Sequence, residues 1–331
     1  MTTPTSEQFA DVGRGVKVCF EEIGDPDATP MLLIAGLGQQ LISWPTPLCE
    51  ALAARGFRVI RFDNRDSGRS THMPDPPPNP LAMLAARYPS NTYGLHDMAR
   101  DTVGLLDALK IERAHLVGAS MGGMIAQVVA SRWPARTLSL TSIFSTTGAS
   151  SIGRPAWSTW LRMAAPSPKS AGQMADADIA MFRHIGSQGF AQDTAWIREH
   201  AMTAWERDPS TDGASRQLAA ILSTGDRTEE VRRIVAPTLV IHGDKDRMVA
   251  PSGGRATHRA IVGSKLWVVP GLGHDYPRQF WPDLIGAVAD HAHAADPVSR
   301  TAPEVDDEAP GAAAASPATS HRRRSAKTAT S

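Results

Sequence analysis

Ser120 stands in Gly118-Ala119-Ser120-Met121-Gly122, between a short apolar run that begins at His115 and a helix-compatible segment over residues 121–132. A serine hydroxyl is a poor nucleophile until an adjacent base takes its proton, and that base needs a third group to orient it. A Gly-x-Ser-x-Gly turn between strand and helix presents the hydroxyl at a strained tip. Gly118 and Gly122 leave room where a side chain would clash, and the helix N-terminus favours developing negative charge. The bland alternative is a Gly/Ser turn without chemistry; the strand and helix on either side favour the reactive reading.

The candidate base is His274, in Val269-Pro-Gly-Leu-Gly-His274, where two glycines after the last apolar run give a loop able to aim an imidazole at the strand tips. The chain has 11 histidines, so position decides. His96, His115, His184, His200 and His258 are expected on the surface or on helix faces, and His291 and His293 lie near the chain's end. The orienting acid belongs just beyond the preceding strand, in Leu239-Val-Ile-His-Gly-Asp244-Lys-Asp246-Arg247. Asp246 is the choice, with Asp244 as a competitor whose other role is to cap the turn. Two amides complete the set by holding an oxyanion: that of Met121, directly after the serine, and one from the glycine-rich loop over residues 34–40. Leu37 is assigned the second donor, with Gly38 as fallback, and Gly36, Gly38 and Trp44 are expected to contact substrate.

Elements must bring these residues together. Apolar, β-favouring runs fall at residues 16–23, 31–35, 57–62, 114–118, 138–144, 238–242 and 265–269, with helix candidates at 47–55, 95–109 and 121–132. That alternation implies a largely parallel sheet covered on both faces. It stops at about residue 145 and resumes near 236. The Met- and Trp-bearing stretch between, 146–235, reads as a helical cap inserted into a core made of 1–145 and 236–294. Most of its Met and Trp side chains are expected in the cap's own core, with several lining an apolar pocket. Residues 295–331, rich in Ala, Pro, Ser and Thr with an Arg322-Arg323-Arg324 cluster, have too little apolar content to pack and read as a disordered, solvated tail.

The 331 residues suffice for one large α/β domain with an insertion. A formal net charge of zero gives no case for a nucleic-acid or acidic-membrane partner. No window approaches the roughly 18–20 apolar residues of a membrane span. Cys19 and Cys49 read as free thiols in a reducing cytoplasm rather than a secreted disulfide framework. Neither a metal nor an organic cofactor is implied, and oligomeric state is not readable.

Taken together, these residues resemble the α/β-hydrolase superfamily from about residue 16 to 293. Ile34-Ala-Gly-Leu-Gly-Gln-Gln-Leu-Ile-Ser-Trp44, Arg61-Phe-Asp-Asn-Arg-Asp-Ser-Gly-Arg-Ser-Thr71 and the Asp246-to-His274 step are similar to its aclacinomycin methylesterase branch. The resemblance implies an α/β-hydrolase fold: a mostly parallel eight-stranded sheet, helices on both faces and an inserted helical cap. It makes Ser120, Asp246 and His274 the triad and the Leu37 and Met121 amides the oxyanion donors. Many relatives carry His-Gly where this chain has Ala35-Gly36; the donor is backbone, so activity is expected to survive. Asp63, Arg65, Asp66 and Arg69 look like a charged site but are expected to brace the loop after the third apolar run. The implied activity is hydrolysis of a small, hydrophobic carboxylic ester through an acyl-enzyme. The rivals are carbon–carbon bond hydrolysis or cofactor-free haloperoxidase/perhydrolase chemistry on the same triad, and a slow-turnover small-molecule receptor. A nucleic-acid partner for the basic tail is disfavoured.

Overall fold

The computed structural model describes residues 6–79, 82–83 and 85–296. Eight strands form one sheet: β1 (Gln8–Asp11), β2 (Lys17–Ile23), β3 (Thr29–Ile34), β4 (Phe57–Phe62), β5 (Ala114–Ala119), β6 (Thr137–Ile143), β7 (Thr238–Gly243) and β8 (Lys265–Val269). Their order is β1-β2-β4-β3-β5-β6-β7-β8. β1–β2 and β2–β4 pair antiparallel; every other pair is parallel.

Period-two alternation sends each central strand's side chains to two different cores. In β3, Leu32 and Ile34 join one core, which includes Met98 and Leu105 of α2 (Leu95–Ala108) and Ile125 and Val129 of α3 (Met121–Arg132). Met31 and Leu33 join the other, with Leu48 and Leu52 of α1 (Thr46–Ala53) and Leu284 and Val288 of α10 (Trp281–Ala295). Residues 121–130 of α3 are all buried, which suits a helix at the centre of the molecule with apolar residues around its circumference.

Between β6 and β7 the described chain forms no strand. It runs through α4 (Trp157–Met163), α5 (Ala171–Ile185), α6 (Thr194–Arg207), α7 (Asp212–Thr224) and the single turn α8 (Thr228–Val231); α9 (Ser252–Ala260) then follows β7. These inserted helices are bolted to the core by the loop after β4. Asp63 pairs with Arg207 of α6 at 2.9 Å, Asp66 with Arg216 of α7 at 2.7 Å, and Arg65 with Asp101 of α2. Asp63 and Asp66 thus brace the loop as expected, and they also reach across to the insertion.

Two expectations need correction. β1 lies outside the seven apolar runs, because only one of its four residues is buried and no alternation marks it. His115 is not a surface residue. It is 1 % exposed inside β5, with Nδ1 2.9 Å from Ser139 Oγ, and burial lowers its pKa to about 4. Cys19 and Cys49 are buried and unbridged. Among the described residues no helix is long and apolar enough to cross a membrane. The tail reading falls on residues 295–331, of which those from 297 onward lie outside the described residues.

Candidate active site

β5 ends and α3 begins at Ser120, whose backbone is driven to φ 55°, ψ −119°. That conformation is costly for a residue with a side chain and is held here by its surroundings. The Ser120 amide donates to Ile143 O at 2.8 Å, and Ser145 Oγ donates to Ser120 O at 2.9 Å. Strand and helix nearly collide behind it. A Cβ on Gly118 would lie 2.2 Å from Gly122 O, and one on Gly122 would lie 2.0 Å from Ile34 O.

His274 Nε2 lies 3.0 Å from Ser120 Oγ, and His274 Nδ1 lies 2.8 Å from Asp246 Oδ2. A carboxylate offers only acceptors, so the proton sits on Nδ1 and Nε2 is left to accept from the serine. The other oxygen, Asp246 Oδ1, accepts the amides of Met248 and Val249, each at 2.8 Å. Burial pushes the Asp246 pKa up. The charge of His274 and hydrogen bonds from His242 and His274 outweigh it and hold the group down at about 2. Asp244, the competitor, is occupied elsewhere: its Oδ1 takes the Gly271 amide at 2.6 Å and so braces the histidine loop.

Leu37 and Met121 present amides that donate to no group among the described residues, and Leu37, Gly36 and Ser120 line one cavity. Gly36 packs so close that a Cβ there would sit 3.3 Å from Ser120 Cβ. The fallback donor Gly38 is not free, since its amide donates to Gln217 Oε1 of α7 at 2.8 Å, and it does not line the cavity. Trp44 does not line it either. Its ring is 1 % exposed and stacks beneath Tyr276 at a centroid distance of 5.4 Å, so Tyr276 meets the cavity and Trp44 supports it one layer back.

The cavity has a volume of about 600 Å³ and lies between the strand tips and the inserted helices. Its walls include Trp160, Met163, Met181, Phe182 and Trp196 from the insertion. His200, expected on a surface, lines it too, stacked on Trp196 and held neutral by a pKa that burial and Arg207 lower to about 4.

His242 and the α5–α6 connection also support the site, beyond the residues expected from the sequence. His242 Nε2 donates to Val249 O at 2.8 Å and lies 3.4 Å from Asp246 Oδ2; a histidine four residues before the acid was the available signal. The connection is stitched to the histidine loop. His274 N donates to Ile185 O at 2.8 Å, Gln188 N and Gly189 N to Gly271 O at 2.9 Å, and Gly273 N to Ser187 Oγ at 3.0 Å. Nothing local in the sequence announces these contacts.

A family model described as the alpha/beta hydrolase fold matches residues 29–276. The chain belongs to the α/β-hydrolase fold family. This α/β-hydrolase is 28% identical over 301 residues to the rhodomycin D methylesterase DauP of Streptomyces sp. (strain C5), covering 85% of this chain and 96% of that protein. It is 26% identical to the rhodomycin D methylesterase DnrP of Streptomyces peucetius, with the same coverage. Among solved structures, the enol-lactonase of Burkholderia xenovorans LB400 superposes with a TM-score of 0.66 at 22% identity, over 86% of this chain and 99% of that one; at that identity the likeness is one of fold.

Proposed function

We propose that this α/β-hydrolase cleaves carboxylic esters with Ser120 as nucleophile, His274 as base and Asp246 as the orienting acid. The observation that carries the reading is the unbroken relay from Ser120 Oγ through His274 to Asp246, at 3.0 and 2.8 Å, opening on an apolar cavity. Ser120 attacks the carbonyl as His274 takes its proton, and the amides of Leu37 and Met121 hold the oxyanion. His274 then protonates the departing alcohol. Water, activated by the same histidine, releases the acid from the acyl-enzyme. The inserted helices act as the cap and shape the pocket. The methylesterase relatives support a small alcohol as leaving group, with a hydrophobic acid filling the cavity.

Turnover of short and medium-chain p-nitrophenyl esters, together with mass spectrometry after a fluorophosphonate probe, tests this. The wild type is expected to turn over and to carry the label on Ser120. Ser120→Ala is expected to lose label and at least about 10³-fold in rate. Equal rates in the two proteins, or label elsewhere, would overturn the mechanism.

A further inference from the structure

Among the described residues, every charged side chain on the cavity wall but one is already engaged. Asp193 caps α6 through the Trp196 amide at 3.0 Å and faces Arg278 Nε at 3.7 Å. Asp275 accepts the amide of Ser187 at 2.9 Å and its hydroxyl as well. Arg154 donates to Ser150 O, and Arg278 also lies over the Trp281 ring. Asp178 of α5 is the exception. It lines the cavity half-buried, yet makes no hydrogen bond or ion pair among the described residues. A partly desolvated carboxylate without a partner gains from a ligand that supplies the missing positive charge. Burial alone raises its pKa to about 6.

Its neighbours indicate what that compensation is. One helical turn further along α5, Met181 and Phe182 share its face, and Trp160 and Trp196 line the same cavity. Aromatic faces attract cations as a carboxylate does, whereas an anionic ligand would be repelled here. Ile185, whose carbonyl holds the amide of His274, lies seven residues later on the same helix.

We infer that Asp178, with the aromatic residues that line the same cavity, forms a subsite for a cationic nitrogen, so the preferred ester carries an ammonium group on its acyl part. The substrate class rests on the ester-hydrolase reading above; the subsite does not.

Tryptophan fluorescence provides a test that needs no turnover, since Trp160, Trp196 and Trp281 line the cavity. The full chain would be titrated with 4-phenylbutylammonium, 4-phenylbutanol and 4-phenylbutanoate. Wild type is expected to bind the ammonium tightest and the carboxylate weakest. In Asp178→Asn the ammonium-to-alcohol affinity ratio is expected to fall at least tenfold, while Asp178→Glu keeps it. A wild type that binds the carboxylate as tightly as the ammonium, or a ratio unchanged in Asp178→Asn, would overturn the subsite. The wild-type ranking decides the matter even if the asparagine variant fails to fold. Loss of Ser120 labelling would sink the esterase reading and leave this ranking untouched.

Discussion

At the scale of single residues, Asp246 does two separable things. It fixes the tautomer of His274, so Asp246→Asn is expected to lower kcat on the order of 10⁴-fold on a p-nitrophenyl ester by presenting the wrong hydrogen-bonding partner. It also links stability to acid. Its folded pKa, about 2, lies below the ordinary carboxylate value of 3.8, so its contribution is fully present above that value and is lost as pH falls through about 2. The size is about 2 kcal/mol, and denaturant titrations between pH 5 and 2 are expected to show a shallower acid loss in Asp246→Asn. Trp44 bears on packing rather than recognition. Trp44→Ala is expected to cost about 3–5 kcal/mol in chemical denaturation through the cavity left under Tyr276. These residues mark how far a sequence can be read. The juxtaposition of Ser120, Asp246 and His274 was legible because glycines and strand ends near each of them say where it stands. Trp44 was not, since nothing in its own segment says which side of the turn its ring takes. Gly38 was not either: its amide is claimed by Gln217, 179 positions along the chain.

At the scale of elements, the close approach of β3, β5 and α3 is what aims Ser120. Gly122→Ala places a methyl group against the backbone oxygen of Ile34 and is expected to destabilise by about 3 kcal/mol, with activity lost in the folded fraction. Gly172, in the first turn of α5, faces open space: a Cβ added there would meet nothing within 4 Å. There the same change is expected to stabilise by about 0.5 kcal/mol, through helix propensity alone. Thermal and denaturant melts of the two variants make the comparison. Seven of the eight strands were legible because each lies in an apolar, β-favouring stretch of sequence, even β8, where Val269 alone is fully buried. β1 carries one buried residue and is defined by its backbone pairing with β2, information that no short window of sequence holds. Helix α3 was legible at both ends, since the Ser-x-Gly turn starts it and Trp133-Pro134 stops it.

For the molecule as a whole, the inserted helices are anchored on two sides. Arg207 and Arg216 fasten α6 and α7 to the loop after β4, and Asp63 meanwhile holds the Leu41 amide at 2.6 Å beside the glycine-rich loop. Arg207→Met is expected to cost about 3–5 kcal/mol, because it strands the buried Asp63 carboxylate; adding Asp63→Leu should recover part of that loss in a denaturation double-mutant cycle. That the segment between β6 and β7 is helical was readable from its composition, but its anchorage was not, because each tie joins residues more than eighty positions apart. The second anchor, from Ile185–Gly189 to Gly271–His274, carries a different consequence. The insertion is part of the bearing on which the loop of His274, the proposed base, is held, so it is not an interchangeable accessory. A chimera that replaces residues 146–235 with the corresponding helices of another α/β-hydrolase inherits a histidine loop cut for a different partner. Substrate range in this scaffold is therefore open to redesign by side-chain replacement on the cavity wall, and closed to wholesale exchange of the segment unless the loop that bears His274 travels with it.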